Sequence, residues 1–120
     1  MKLRVNRQLE NWCTQWGLPG FDRALTVRFS RRFRSALGRC APASREIRLA
    51  AFLLDGPAML LAEALCHEAA HAAAYEIHGA SVKPHGLEWK RLMEQAGFEP
   101  RVKFPAALLP GLLGREPWRR

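Results

Sequence analysis

A chain of 120 residues, 48% apolar and 25% charged, has the composition of a globular protein and the size of one small domain with a modest core. That excludes a disordered or fibrous chain. No apolar run is long enough for a membrane helix, and the start MKLRVNRQLENW has no apolar signal core, so a cytoplasmic protein is expected. The formal charge of +8 is concentrated between Arg23 and Arg48. There eight arginines (Arg23, Arg28, Arg31, Arg32, Arg34, Arg39, Arg45, Arg48) stand against one acid, Glu46. Such a block favours polyanions, DNA or RNA foremost; a solvated face is the alternative.

In chain order, residues 3–16 place Val5, Leu9, Trp12, Cys13 and Trp16 at helical spacing, and Gly17 stops that helix. Residues 24–29 alternate, with Leu25, Val27 and Phe29 opposite Thr26 and Arg28, which is strand periodicity. A second strand is expected around 35–40, where Gly38 suggests a bulge or the close approach of another backbone. REIRLA, 45–50, alternates again. The simplest assembly is a three-stranded antiparallel meander with one greasy and one arginine-rich face. Asp55 is the expected N-cap of a long helix with Pro57 in its first turn, running to about His78 and stopping at Gly79. This helix is apolar nearly all round, so it should be central and buried. Trp89, Leu92, Met93 and Ala96 mark a further amphipathic helix over 87–96, ended by Gly97. From Pro100 onward, prolines and glycines predict an extended basic tail, partly packed through Phe104 and the leucines. Cys13, Cys40 and Cys66 are odd in number and form no Cys-x-x-Cys pair. A zinc ribbon is thereby excluded and a disulfide framework is not expected; they read as reduced, packed thiols.

Within the long helix lies His67-Glu68-x-x-His71. Residues four apart project to nearly the same side, so two imidazoles can converge on one ion. Zinc takes nitrogen ligands at about 2.0–2.1 Å and, when catalytic, three protein ligands and a water. Glu68 stands about 100° round from His67, placed to take a proton rather than to ligate. A buried carboxylate and two imidazoles would cost several kcal/mol without partners, which favours an ion over an ordinary core.

A third ligand is needed. His78, seven residues past His71, lies about 10 Å further along the helix and cannot reach. The loop carrying His85 can turn back to the ion, and His85 is the preferred choice. Glu88 and Glu94 on the next helix are alternatives. A histidine further down the same run, closing the site after a glycine, fails because Ala74 and Ile77 occupy those positions. Among the supporting residues, Glu63 could hold the His67 ring or be a surface charge. Trp89 would pack the ligand loop against the helix. Tyr75 could stabilise an oxyanion, though packing is the better reading.

Residues 24–98 resemble the SprT-like metallopeptidase domain: a strand, a strand with "LGRC", "REIRLA" running into "FLL", then "ALCHEAAHAAAY" and "HGLEWKRLMEQAG". The resemblance implies an α+β zincin-like fold: an N-terminal helix, the three-stranded sheet, a central HExxH helix and a further C-terminal helix. It implies one metallopeptidase domain over 1–100 with a tail over 101–120, zinc held by His67, His71 and His85, and Glu68 as general base. Eukaryotic members include the protease that degrades proteins crosslinked to DNA, so DNA-associated substrates become an expectation. Many members carry an added zinc ribbon or DNA-binding module; the arginines of 23–48 are the counterpart available here. The alternatives are a basic nucleic-acid-binding module with a structural or vestigial metal, and a zinc hydrolase acting on other bonds.

Overall fold

The computed structural model describes residues 2–103. The first helix, α1 (Lys2–Gln15), buries the stripe that its spacing predicts, Val5, Leu9, Trp12 and Cys13, with Trp16 just beyond its end. The Trp16 indole N–H donates to the Leu92 carbonyl at 2.8 Å, tying this end of the chain to the last helix. A 3₁₀ turn over Phe21–Ala24 leads into β1 (Thr26–Ser30), followed by β2 (Gly38–Ala41) and β3 (Glu46–Ala50).

The sheet departs from the expected meander. Its order is β1-β3-β2, with β3 antiparallel to β2 and parallel to β1, so the sheet is mixed. The strands run in the directions a meander would give them; what changes is which one takes the middle. The link over residues 31–37 carries β2 one place further across and leaves a slot that β3 fills. Burial explains the choice. Ile47, Leu49 and Ala50 of β3 are fully buried, whereas β1 and β2 expose every other residue and half-bury the rest or nearly so. The strand with most apolar surface to hide gains most from two neighbours. The alternation itself holds: Arg28, Arg39 and Arg48 face solvent, and Val27, Cys40, Ile47 and Leu49 face the helices.

A 3₁₀ turn (Ala51–Asp55) precedes α2 (Ala58–His78). Asp55 is not the N-cap, contrary to expectation; it ends this turn, and Pro57 takes the cap position with φ −62° and ψ 137°. Asp55 stands two residues too early to reach the first free N–H groups, while the Pro57 carbonyl already accepts from Leu60 and Leu61. The stop is the expected one: Gly79 adopts φ 87° and its N–H closes on the Tyr75 carbonyl at 2.8 Å. Eleven successive residues of α2, Leu60 to Ala70, are buried. Its alanines let α1, α3 and the sheet approach closely on all sides. The last helix, α3 (Leu87–Gln95), buries Trp89, Leu92 and Met93. The remainder of the expected tail, from Phe104 on, lies outside the described residues. No helix among those described is long and apolar enough to cross a membrane.

Candidate metal centre

Three imidazoles meet at the middle of α2. His67 and His71 stand one turn apart with ring centroids 5.1 Å from each other. After Gly79 the chain turns back, and His85 swings over the same spot from the loop before α3. Its Nε2 lies 3.2 Å from that of His67 and 3.1 Å from that of His71. Two nitrogens bound to a tetrahedral ion at about 2.0–2.1 Å stand about 3.3–3.4 Å apart, so His85 already has nearly that spacing to each of the other two. Among the described residues it is the one grouping of side chains of this size with metal-ligand chemistry.

Burial holds the rings neutral, as ligation requires. In the metal-free chain it pulls His67 down to about 4, with the His85 charge adding to the effect and Glu63 opposing it. His71 falls to about 3 from burial and from the other two imidazoles, and His85 is lowered by burial alone.

Glu68, 7% exposed, comes next to His67 but points to a different flank of α2, toward β2. Gly38 makes that possible. A Cβ at position 38 would lie 2.9 Å from the Arg48 carbonyl oxygen, 2.9 Å from Leu49 and 3.2 Å from Cγ of Glu68. The glycine therefore marks the close approach of a neighbouring backbone, one of its two predicted meanings, and it leaves room for the carboxylate. Burial pushes the Glu68 carboxyl up to about 8, while the Arg39 charge works the other way. A cation on the imidazoles would lower it further and favour the ionised form.

Two neighbours of the cluster do more than was expected of them. Glu63 is not a surface charge, and its charge acts on His67. It is 9% exposed and takes a two-pronged grip from Arg101, Nε and one terminal nitrogen each at 2.8 Å. That partner is 38 residues away, in a stretch with no periodic signal to reveal it. Trp89 does pack the ligand loop against the helix, but it also contacts all three imidazole rings directly, with centroids 4.8, 5.5 and 4.9 Å from His67, His71 and His85.

The other candidates lie apart. His78 is exposed at the helix end, Glu94 is exposed, Glu88 is half-buried, and none belongs to the cluster. Tyr75 is half-buried one turn beyond His71. All three cysteines are free. Burial raises Cys13 and Cys40 to about 12 and Cys66 beyond that, with Glu68 adding to the rise at Cys40, so these thiols are not nucleophiles.

The arginine segment resolves into a row. In the strand register Arg28 pairs with Arg48 and Arg48 with Arg39, so three guanidinium side chains cross the outer face of the sheet side by side. Glu46 bridges two of them, at 3.2 Å from Arg28 and 3.4 Å from Arg48. Arg45 is turned away toward Glu76 of α2.

Residues 6–107 match the model of the SprT-like family. The chain is 36% identical over 86 residues to Protein SprT of Vibrio parahaemolyticus, an alignment covering 68% of this chain and 51% of that protein. It is 34% identical over 97 residues to Protein SprT of Pasteurella multocida, covering 75% and 58% respectively. The chain thus spans about half the length of these curated relatives. Among solved structures, the metallopeptidase zymogen of Pyrococcus abyssi abylysin superposes with a TM-score of 0.58 at 22% identity, over 92% of this chain and 90% of that one. The shared architecture is the α+β, zincin-like fold.

Proposed function

This chain belongs to the SprT-like family, and we propose that it is a zinc-dependent metallopeptidase hydrolysing peptide bonds, with His67, His71 and His85 as the metal ligands and Glu68 as general base. The observation that carries the reading is the convergence of three imidazoles, with His85 Nε2 at 3.2 Å from His67 and 3.1 Å from His71, on a helix whose next residue after His67 is a buried carboxylate. A purely structural zinc would be expected to have four protein ligands, and three leave a position for water and substrate. When bound, zinc supplies Lewis acidity, lowering the pKa of water toward neutrality and polarising a carbonyl.

The chain's own residues do the rest. The imidazoles hold the ion; Glu68 takes a proton on its carboxylate and hands it to the leaving amine. Its enclosed setting keeps that proton from bulk water, and Gly38 keeps the enclosure open enough for the carboxylate to sit there. The test is metal content together with casein cleavage for the wild type and Glu68→Gln. The variant should bind one zinc as the wild type does and lose about 10²–10⁴-fold in turnover. Wild-type cleavage by the variant would remove Glu68 from the role. A hydrolase for other bonds would bind zinc, need Glu68 and leave casein intact.

A second feature bears on substrate. The arginine row sets like charges directly opposite one another, and the single carboxylate of Glu46 offsets only part of that charge, so a further anion is favoured there. We propose that this face meets nucleic acid and brings the chain onto DNA, where its protein substrates lie. The row supports contact with phosphates, and it lies on the sheet face away from α2.

A further inference from the structure

Trp89 stands out among the groups that the proposed chemistry leaves unused. It is fully buried, the largest of the fully buried side chains, and comes from the first turn of α3, three residues after Gly86. Its indole meets His71 nearly face to face, at an interplanar angle of 19°, and meets His67 and His85 edge-on at 66° and 77°. Its N–H donates to the His67 backbone carbonyl at 3.0 Å. That carbonyl lies in the middle of a helix and already serves the helical ladder, so the bond satisfies the indole and locks α3 to the turn of α2 that carries the ligand.

Each imidazole has two side-chain torsions to freeze before three nitrogens can converge. His85 has the most to lose, because it comes from a loop and is only half-buried. A flat, rigid ring touching all three restricts them together. It also closes the α3 side of the cluster with apolar surface, so a fourth ligand must enter from another side. Shells of this kind govern water access and metal affinity.

We propose that Trp89 is a positioning residue for the metal: one indole preorganises all three ligand rings and thereby sets how tightly and in what geometry the ion is held. This rests on the reading of the three histidines as ligands. Met93 provides the control, because it is also fully buried on α3, one turn beyond Trp89, but has no ring to lay against the imidazoles.

The experiment measures zinc affinity by chelator competition, and the visible spectrum of the cobalt-substituted protein, for the full chain and for Trp89→Leu, Trp89→Phe and Met93→Ala. Trp89→Leu should bind zinc about 10–100-fold more weakly and lose the intense tetrahedral cobalt bands. Trp89→Phe, which keeps a ring but loses the N–H, should fall between it and the wild type. Met93→Ala should melt at lower temperature yet bind with wild-type affinity. Trp89→Leu binding as tightly as the wild type overturns the proposal, as does an equal loss in Met93→Ala. If Trp89→Leu does not fold, wild-type affinity and spectrum in Trp89→Phe overturn it. A wild-type chain that takes up no zinc overturns the ligand assignment itself, a result distinct from both.

Discussion

The two faces of the three-stranded sheet hold the chain's polar groups on opposite terms. Toward α2, Glu68, Glu63 and His67 are buried and the other two imidazoles half-buried, with Gly38 beside Glu68, Trp89 against the rings and Arg101 on Glu63. On the outer face, Arg28 and Arg48 keep side-chain exposures of 68% and 60% and share a single carboxylate. Water screens the outer charges, so individual ion pairs there contribute little to stability. A group on the inner face has no such substitute, and its loss should be felt whole. The chain therefore has an inner face built for geometry and an outer face whose charges remain available to a partner.

Substitutions on the inner face test this contrast most severely. Gly38→Ala forces a methyl against the backbone of the central strand, and overpacking of that kind costs about 1–3 kcal/mol. Because the same methyl crowds Glu68, casein cleavage should fall further than the loss of folded protein explains. Thermal melts and turnover measured on the same samples check it, and an activity loss that tracks stability alone would separate Gly38 from the site. Arg101→Ala leaves Glu63, whose side chain is 12% exposed, without its guanidinium, at a cost of about 1–3 kcal/mol by chemical denaturation. A change within experimental error would mean that Glu63 is better hydrated than its burial suggests.

The pH dependence of the metal-free protein follows from the same burial. His67 and His71 are depressed from 6.5 to about 4 and about 3, so below pH 6.5 the unfolded chain takes up protons first and stability falls with acid. Glu68 is raised from 4.5 to about 8, so its contribution is complete below pH 4.5 and is lost as pH rises through 8. Between those ordinary values two imidazoles outweigh one carboxyl, and these groups together place maximal metal-free stability near pH 6.5. Urea midpoints across pH 4–9 in excess chelator read this directly; a monotonic rise to pH 9 would contradict the assigned burial of Glu68.

The outer face should give the smallest effect on folding. Arg48→Glu should change the melting temperature little. It should weaken duplex DNA binding and flatten the dependence of log affinity on log salt by about one unit for each phosphate no longer neutralised. An unchanged affinity and slope would leave the arginines as a solvated face, and the contrast between the two faces would then be one of burial only.

Much of this was readable in advance because it depends on local rules. Two histidines four apart on a helix share a side whatever surrounds them, and Gly79 ended that helix as glycine commonly does. Reach along a helix removed His78 from the ligand set. Other features had no local signature. The order of the strands depended on which of them buried most, and Asp55 lost the cap position to Pro57 because the helix begins two residues later than the aspartate can serve. The partnership of Glu63 with Arg101 joins positions that no periodicity connects. Trp89 was visible as an aromatic close to His85, but its contact with three rings at once depends on where α3 docks.

The sequence by itself determined the elements and the candidates for metal ligand and general base, because residue type and helical spacing decide which groups can share a side. Only the tertiary structure decided the mixed sheet, the room that Gly38 gives Glu68, and the ring that holds the three imidazoles together. Those are properties of close packing between segments distant in the chain, where tenths of an ångström decide what fits.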